Sequence, residues 1–467
     1  MKYISTRGER EELGFNDVLL AGLARDGGLY MPVSWPVFSE ADIEAMAGLS
    51  YEEVAFLVMK PFVGTDIPDD ELRSMINEAY SSFSDPSIAP LVKTGDNEWL
   101  LELFHGPTYA FKDVAMQILA RLMDRALRER GERVTIVVAT SGDTGGAAIE
   151  AFKGRDAIDI FVLHPHGRVS DVQRRQMTTV ADPNVHNIAL EGTFDDAQAI
   201  VKALFNDAEL RDNLNLAGVN SINWGRIMAQ IVYYFTSAVA LGAASGKVSF
   251  SVPTGNFGDI FAGYVARKMG LPVERLIIAT NTNDILARTY ESGRYEPLGV
   301  IATSSPSMDI QVSSNFERLL FDIGGRKPDR IKELMSQFAR EGLFVLNDDE
   351  LDAFRQIFLA GRALEDEVAG VIKSMANDID YVADPHTAVG VAVARQLDTG
   401  EGPMVVLSTA HPAKFPDVVE KAIGAEIAQP QSMIDQASMD ERFQVLDNDV
   451  DAVAKYVTEH ARVGAAA

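Results

Sequence analysis

The chain has 467 residues, 47 % of them hydrophobic and 24 % charged, which is the balance of a folded protein with ample core and excludes disorder as its dominant state. Its 42 basic and 68 acidic side chains leave a net charge of −26, so nucleic acid and anionic membranes are repelled, although a local site for a small anion is not forbidden. Cysteine is absent, which excludes disulfides, thiolate nucleophiles and Cys-ligated metals and suits a reducing compartment.

The opening residues, MKYISTRGEREELGF, lack the apolar core of a secretory signal, and a cytoplasmic location is expected. Residues 1–95 read as a distinct front section, with a turn at Asp26-Gly27-Gly28 followed by acidic helical segments punctuated by prolines. From residue 96 short apolar runs alternate with amphipathic stretches. Strands are expected at 134–140, 159–163, 187–190, 247–252, 275–280 and 403–408, with helices between most of them. That alternation predicts an α/β protein with parallel sheets covered by helices on both faces.

The clearest helix begins near Lys112, where Val114, Ala115, Ile118, Leu119, Leu122, Met123, Ala126 and Leu127 form one apolar stripe that Gly131 ends. Residues 227–244 are the most apolar long stretch. Gln230, Thr236 and Ser237 interrupt it, and it reads as a buried helix rather than a membrane span. A helical insertion is expected at about 300–380 within a core of 96–428. The tail, 429–467, is acidic and weakly patterned; it is expected to pack on the core surface, with a frayed end.

Ligands of parallel sheets bind at the carboxyl ends of strands, and three strand-to-helix junctions are candidates. Thr140-Ser141-Gly142-Asp143-Thr144-Gly145-Gly146 offers small residues at a helix start, either as an anion cradle or as a turn with its cap. Gly255-Asn256-Phe257-Gly258-Asp259 has the same form, with Asp259 awkward beside a phosphate and read instead as a cap that holds the loop. Ser408-Thr409-Ala410-His411 follows a third strand and is weak alone. Lys112, in HGPTYAFKD, opens a helix at its positive end, where a cation is disfavoured. Partial burial would favour the neutral amine that Schiff-base chemistry needs, whereas in an arbitrary sequence such a lysine is simply solvated. A reactive lysine beside two phosphate cradles suggests pyridoxal phosphate and a phosphorylated substrate. His164-Pro165-His166 has no third ligand at metal-binding spacing, and His386 after Pro385 is explained by a helix start.

Taken together, HGPTYAFKD, ATSGDTGGAA, NSINWGR at 220–226, GNFGDI and SPSMDI at 305–310 resemble the threonine synthase family, in order along nearly the whole chain. The resemblance implies the tryptophan-synthase-beta-like fold of pyridoxal-phosphate enzymes, with an N-terminal domain. It implies that Lys112 forms the Schiff base, that Gly255, Asn256, Phe257, Gly258 and Asp259 hold the cofactor phosphate, and that Thr409 meets the pyridine nitrogen. Ser141, Asp143 and Thr144 would contact the substrate; Asp143 replaces the asparagine of wider relatives. Ser221, Asn223 and Arg226 would grip the substrate phosphate. The implied reaction turns O-phospho-L-homoserine and water into L-threonine and phosphate, in a monomer or weak homodimer without metal. Two rivals remain: a phospho-lyase releasing 2-oxobutanoate, and a silent cofactor-binding homologue.

Overall fold

The computed structural model describes every residue except 10, 141, 243–245, 398–399 and 464–467, so Ser141 and the end of the tail lie outside the described residues. The front section holds an antiparallel pair, β1 (Tyr3–Ser5) and β2 (Tyr30–Pro32), with helices Tyr51–Val63 and Asp69–Tyr80. Gly28 is required where this pair begins, because a Cβ there would stand 2.2 Å from Ser5 Oγ. Next come β3 (Leu91–Lys93) and β4 (Glu98–Glu102), then β5 (Val134–Ala139), β6 (Ile158–Pro165), β7 (Val185–Glu191) and β8 (Leu216–Ala217). The rest are β9 (Val248–Pro253), β10 (Val273–Thr280), β11 (Arg294–Tyr295), β12 (Phe344–Val345), β13 (Phe358–Arg362), β14 (Met404–Ser408) and β15 (Gln444–Asp447). All six strands expected from apolar runs form, within two residues at each end.

Two sheets organise the chain. A six-stranded sheet runs β13-β10-β9-β14-β4-β3 and is parallel except for its last strand pair. A five-stranded, wholly parallel sheet runs β15-β7-β6-β5-β8. The Lys112–Arg130 helix has its apolar stripe buried and ends at Gly131 in the left-handed region (φ 66°), as the pattern predicts. The apolar stretch after residue 223 becomes a buried helix, Trp224–Ala240. No helix among the described residues is long and apolar enough to cross a membrane.

Trp224 shows how the front section joins the core. Its indole is fully buried and packs against Tyr3, Trp35 and Phe62, with ring centroids 5.5–6.2 Å away. Such aromatic contacts contribute about 0.5–1.5 kcal/mol each beyond their buried area.

Two regions differ from expectation. The 300–380 stretch is not only helical, since β13 extends the six-stranded sheet as a parallel edge beside β10. Its run Phe-Leu-Ala-Gly-Arg is too short, directly behind a helix, to carry a strand signal of its own. The tail does pack on the core, and it also completes the smaller sheet: β15 pairs with β7, and Val453 and Val457 of the helix Val450–His460 are buried beside Ile200 and Leu204. An edge strand leans on its neighbour for half of its definition, so acidic flanks hide it from pattern reading.

Candidate active site

Backbone hydrogen bonds place Lys112 next to the end of β14. Phe111 N–H donates to Thr409 O (2.8 Å), and His411 N–H donates to Tyr109 O (3.0 Å). Lys112 is the first residue of its helix, 7 % exposed, with Nζ 3.9 Å from Asp143 Oδ2. Burial pushes its amine down to about 8, with Arg226 and Lys414 pushing the same way against Asp143 and Asp113. The solvated-lysine reading is therefore excluded by geometry, and the amine is easily made neutral.

The turn after β9 is built as an anion cradle. Phe257 sits in the left-handed region (φ 64°) at the N-cap of helix Gly258–Lys268 and makes no side-chain cap bond. Its ring is held by Phe316 and Phe358 at 5.4 and 5.7 Å, which offsets the unfavourable backbone. A Cβ on Gly255 would stand 3.0 Å from Ser307 O, a tight contact that glycine avoids. Asp259 does not cap the helix, contrary to expectation. Its Oδ1 accepts from Tyr233 OH (2.5 Å) and Tyr234 OH (3.0 Å), and burial pushes its carboxyl up to about 6 despite those bonds.

The turn after β5 is different. Thr140 Oγ1 accepts from the N–H groups of Gly142 (3.0 Å) and Gly145 (2.9 Å), so the chain itself occupies amides that an anion would use. Its contribution is the buried Asp143 carboxylate, and Thr144 lines the same cleft. Burial would raise Asp143, but Lys414 and Lys112 hold it well below the usual carboxylate range.

Ser221 and Arg226 line the cleft, and Asn315 Nδ2 donates to Ser221 O (3.2 Å) and to Asn256 O (3.1 Å), joining the two loops. Arg226 is 4 % exposed, its Nε is buried with no partner, and burial pushes it down to about 10. Asn223 is the correction. It is fully buried as the N-cap of helix Trp224–Ala240, accepting from Gly225 N–H (2.9 Å) and donating to Leu19 O (2.9 Å). Both polar ends serve the fold, and the fully buried side chain does not line the cleft.

Sequence reasoning missed Lys414, Ser307 as a partner of Asp143, and Asn315. Ser307 and Asn315 lie in quoted or adjacent motifs, but Lys414, in Pro-Ala-Lys-Phe, carries no local signal. His386 was explained by a helix start, and the helix does start at Pro385, with Asp384 as its cap. The same His386 lines the cleft, where its Nε2 accepts from Ser307 N–H (3.2 Å) and its Nδ1 meets Asp384 (2.8 Å). Lys112, Asp143, Arg226, His386, Thr409 and the turn 255–259 line one open cleft of about 1900 Å³. That exceeds the usual 300–1,000 Å³ of a single-ligand pocket and leaves room for cofactor and substrate together.

Comparison with known proteins decides the family. Residues 2–80 match the threonine synthase N terminus, 88–346 the pyridoxal-phosphate dependent enzymes, and 387–457 the C-terminal part of threonine synthase. The chain is 51 % identical over 466 residues to the threonine synthase of Pseudomonas aeruginosa, covering 99 % of both. The chain belongs to the threonine synthase family. Its fold follows the crystal structure of the pyridoxal-phosphate-bound threonine synthase of Brucella melitensis with a TM-score of 0.97 at 58 % identity, over 99 % of this chain and 100 % of that one. The yeast threonine synthase structure gives 0.93 at 39 % identity, over 98 % of each chain.

The residues present fit pyridoxal phosphate. An amine with a lowered pKa stands in the cleft, and the uncapped start of helix Gly258–Lys268 offers amides behind a glycine whose Cβ would crowd Ser307 O. The orphaned Nε of Arg226 and Oδ2 of Asp259 are buried polar atoms of the kind a ligand satisfies. The enzyme is a pyridoxal-phosphate-dependent lyase of this family, and the expected fold class holds.

Proposed function

We propose that this cleft converts O-phospho-L-homoserine and water into L-threonine and phosphate. The observation that carries the reading is that one buried amine, Lys112, stands in a single cleft with two separate anion sites, the turn 255–259 and Arg226, whose Nη1 donates to Val219 O (3.3 Å) and whose buried Nε has no partner among the described residues. When bound, pyridoxal phosphate supplies an electron sink for charge developing at the substrate carbons.

The protein's own residues do the rest. The amides of Gly255, Asn256, Phe257 and Gly258 hold the cofactor phosphate at the helix start, and Asp259 tethers that helix to Tyr233 and Tyr234. Thr409, fixed by its N–H bond to Thr387 Oγ1 (3.2 Å), would offer a neutral hydroxyl to the ring nitrogen, which would not enforce its protonation as a carboxylate would. Arg226 and Ser221 bind the substrate phosphate, the planar guanidinium matching its oxygens and aiding its departure. Ser141 and Thr144 contact the substrate, as the family resemblance implies. Asp143, ionised, accepts from Ser307 Oγ at Oδ2 (3.1 Å) and donates no hydrogen bond, so it does not take the donor role of an asparagine.

Lys112 Nζ takes the proton from Cα and then serves at the adjacent carbons, which its lowered pKa and confined position allow. We further place the protein in the cytoplasm, as a monomer or weak homodimer acting on a small molecule; the cysteine-free, strongly acidic chain supports this, and sedimentation measures the assembly.

A proton NMR time course with protein, pyridoxal phosphate and O-phospho-L-homoserine tests the reaction. The threonine methyl signal is expected. A 2-oxobutanoate signal would assign the eliminating lyase instead, and an unchanged substrate over cofactor-loaded protein would reject catalysis altogether.

A further inference from the structure

A second buried lysine stands behind Asp143, beside the cleft. Lys414 lies in the turn after β14, its side chain 0 % exposed. Its Nζ donates to Thr108 O (2.7 Å), Gln176 Oε1 (2.9 Å) and Asp143 Oδ1 (3.0 Å). An ammonium has three protons, and each has an acceptor here, so the cation is fixed in place as well as neutralised. Asp143 is equally committed. Gln173 Nε2 donates to Oδ1 at 2.8 Å and Ser307 Oγ to Oδ2 at 3.1 Å, while Lys112 Nζ stays 3.9 Å away, beyond hydrogen-bond distance. Two cations thus share one carboxylate, and Lys414 has the nearer place.

We propose that Lys414 is a positioning residue that holds the Asp143 carboxylate short of Lys112, so that the Lys112 amine stays free to react instead of closing an ion pair. Without Lys414 the buried carboxylate would have Lys112 as its nearest cation. An uncompensated buried charge is costly, so the 3.9 Å gap would close and the amine would be held as ammonium, which is not a nucleophile. Charged groups facing Lys112 from the surrounding elements are Asp143, Asp113 and Asp259 on the acidic side and Arg226 and Lys414 on the basic side. His386 faces Asp143 from the helix that starts at Pro385. Among these, Asp143 is the carboxylate whose Oδ2 stands 3.9 Å from Lys112 Nζ, so it is the one whose placement sets the state of the amine. The inference rests on Lys112 being the reactive amine, but not on which product the enzyme releases.

The test reads the amine directly. Full-length protein stripped of cofactor is pulsed with acetic anhydride as a function of pH, and acetylation of Lys112 is read by peptide mass spectrometry. The wild type should show a midpoint near the value of about 8. Lys414→Gln should raise that midpoint by about one pH unit or more, roughly a tenfold loss of free amine at a given pH below it. Lys414→Arg, which keeps the charge, should move it by less than half as much. In an Asp143→Asn background the effect of Lys414→Gln should also fall to less than half, since the carboxylate that Lys414 holds is gone. An unchanged midpoint in Lys414→Gln, or an equal shift with and without Asp143, overturns the proposal. Should Lys414→Gln fail to fold, Asp143→Asn alone decides: the Lys112 midpoint must fall, and an unchanged one overturns the coupling. Failure of the NMR assay with these midpoints as expected would refute the assigned reaction and leave this inference standing.

Discussion

Two turns of this molecule share one grammar, a β-strand followed by small residues and then a helix, yet they do different work. After β9 the helix start is uncapped, with a left-handed Phe257 and a closely packed Gly255 in the turn before it. After β5 the Thr140 hydroxyl takes two amides for itself, and the turn offers a carboxylate instead. What separates an anion cradle from a self-satisfied turn is thus who accepts from the first amides of the helix, and one threonine side chain decides it.

The largest expected effect tests what both turns serve. Lys112→Ala should lower threonine formation by roughly 1,000-fold or more and abolish the absorbance of the lysine-bound cofactor; retained activity would remove Lys112 from the site. The comparison itself is sharpened by a pair of variants. Gly255→Val places atoms against Ser307 O and Ile310 and should weaken cofactor binding at least about tenfold in equilibrium dialysis. Thr140→Val should leave that affinity within about twofold while costing about 1–2 kcal/mol in urea unfolding. Equal losses of cofactor in the two variants would show that the turns are not distinct.

Arg226→Gln should raise KM for the phosphorylated substrate about tenfold with little change in cofactor affinity, as expected for a lost charge-assisted contact. The last effect, on stability rather than activity, concerns Asp259. Its carboxyl is raised from 3.8 to about 6 in the fold, so its protonated form favours folding at low pH and that contribution is lost as pH rises through about 6. Asp259→Asn should remove this dependence: measured by urea unfolding of cofactor-free protein, the variant should gain on the wild type by about 1–3 kcal/mol across that window. A parallel pH dependence in both proteins would place the carboxyl's titration elsewhere.

Much of the site was legible because local chemistry and local structure coincide there. Lys112 opens a helix whose stripe is plain in the sequence, and Gly255–Gly258 can hardly be anything but a turn between strand and helix. Asn223 was misread because an amide suits a phosphate and a helix cap equally well, and neighbours from the front section, Leu19 among them, settle which. Asp259 was misplaced for a similar reason, since its tyrosine partners come from another helix.

The amino-acid sequence by itself determined six strands of the two sheets, the two glycine-bearing turns and the helix-opening lysine, because apolar periodicity and backbone permissiveness act over a few residues. Only the tertiary structure decided the completion of the smaller sheet by β15, the union of the front section with the core through Trp224, and the pairing of Lys414 with Asp143. Those depend on residues up to hundreds of positions apart, and a buried charge takes its meaning from the groups that surround it, which no local pattern contains.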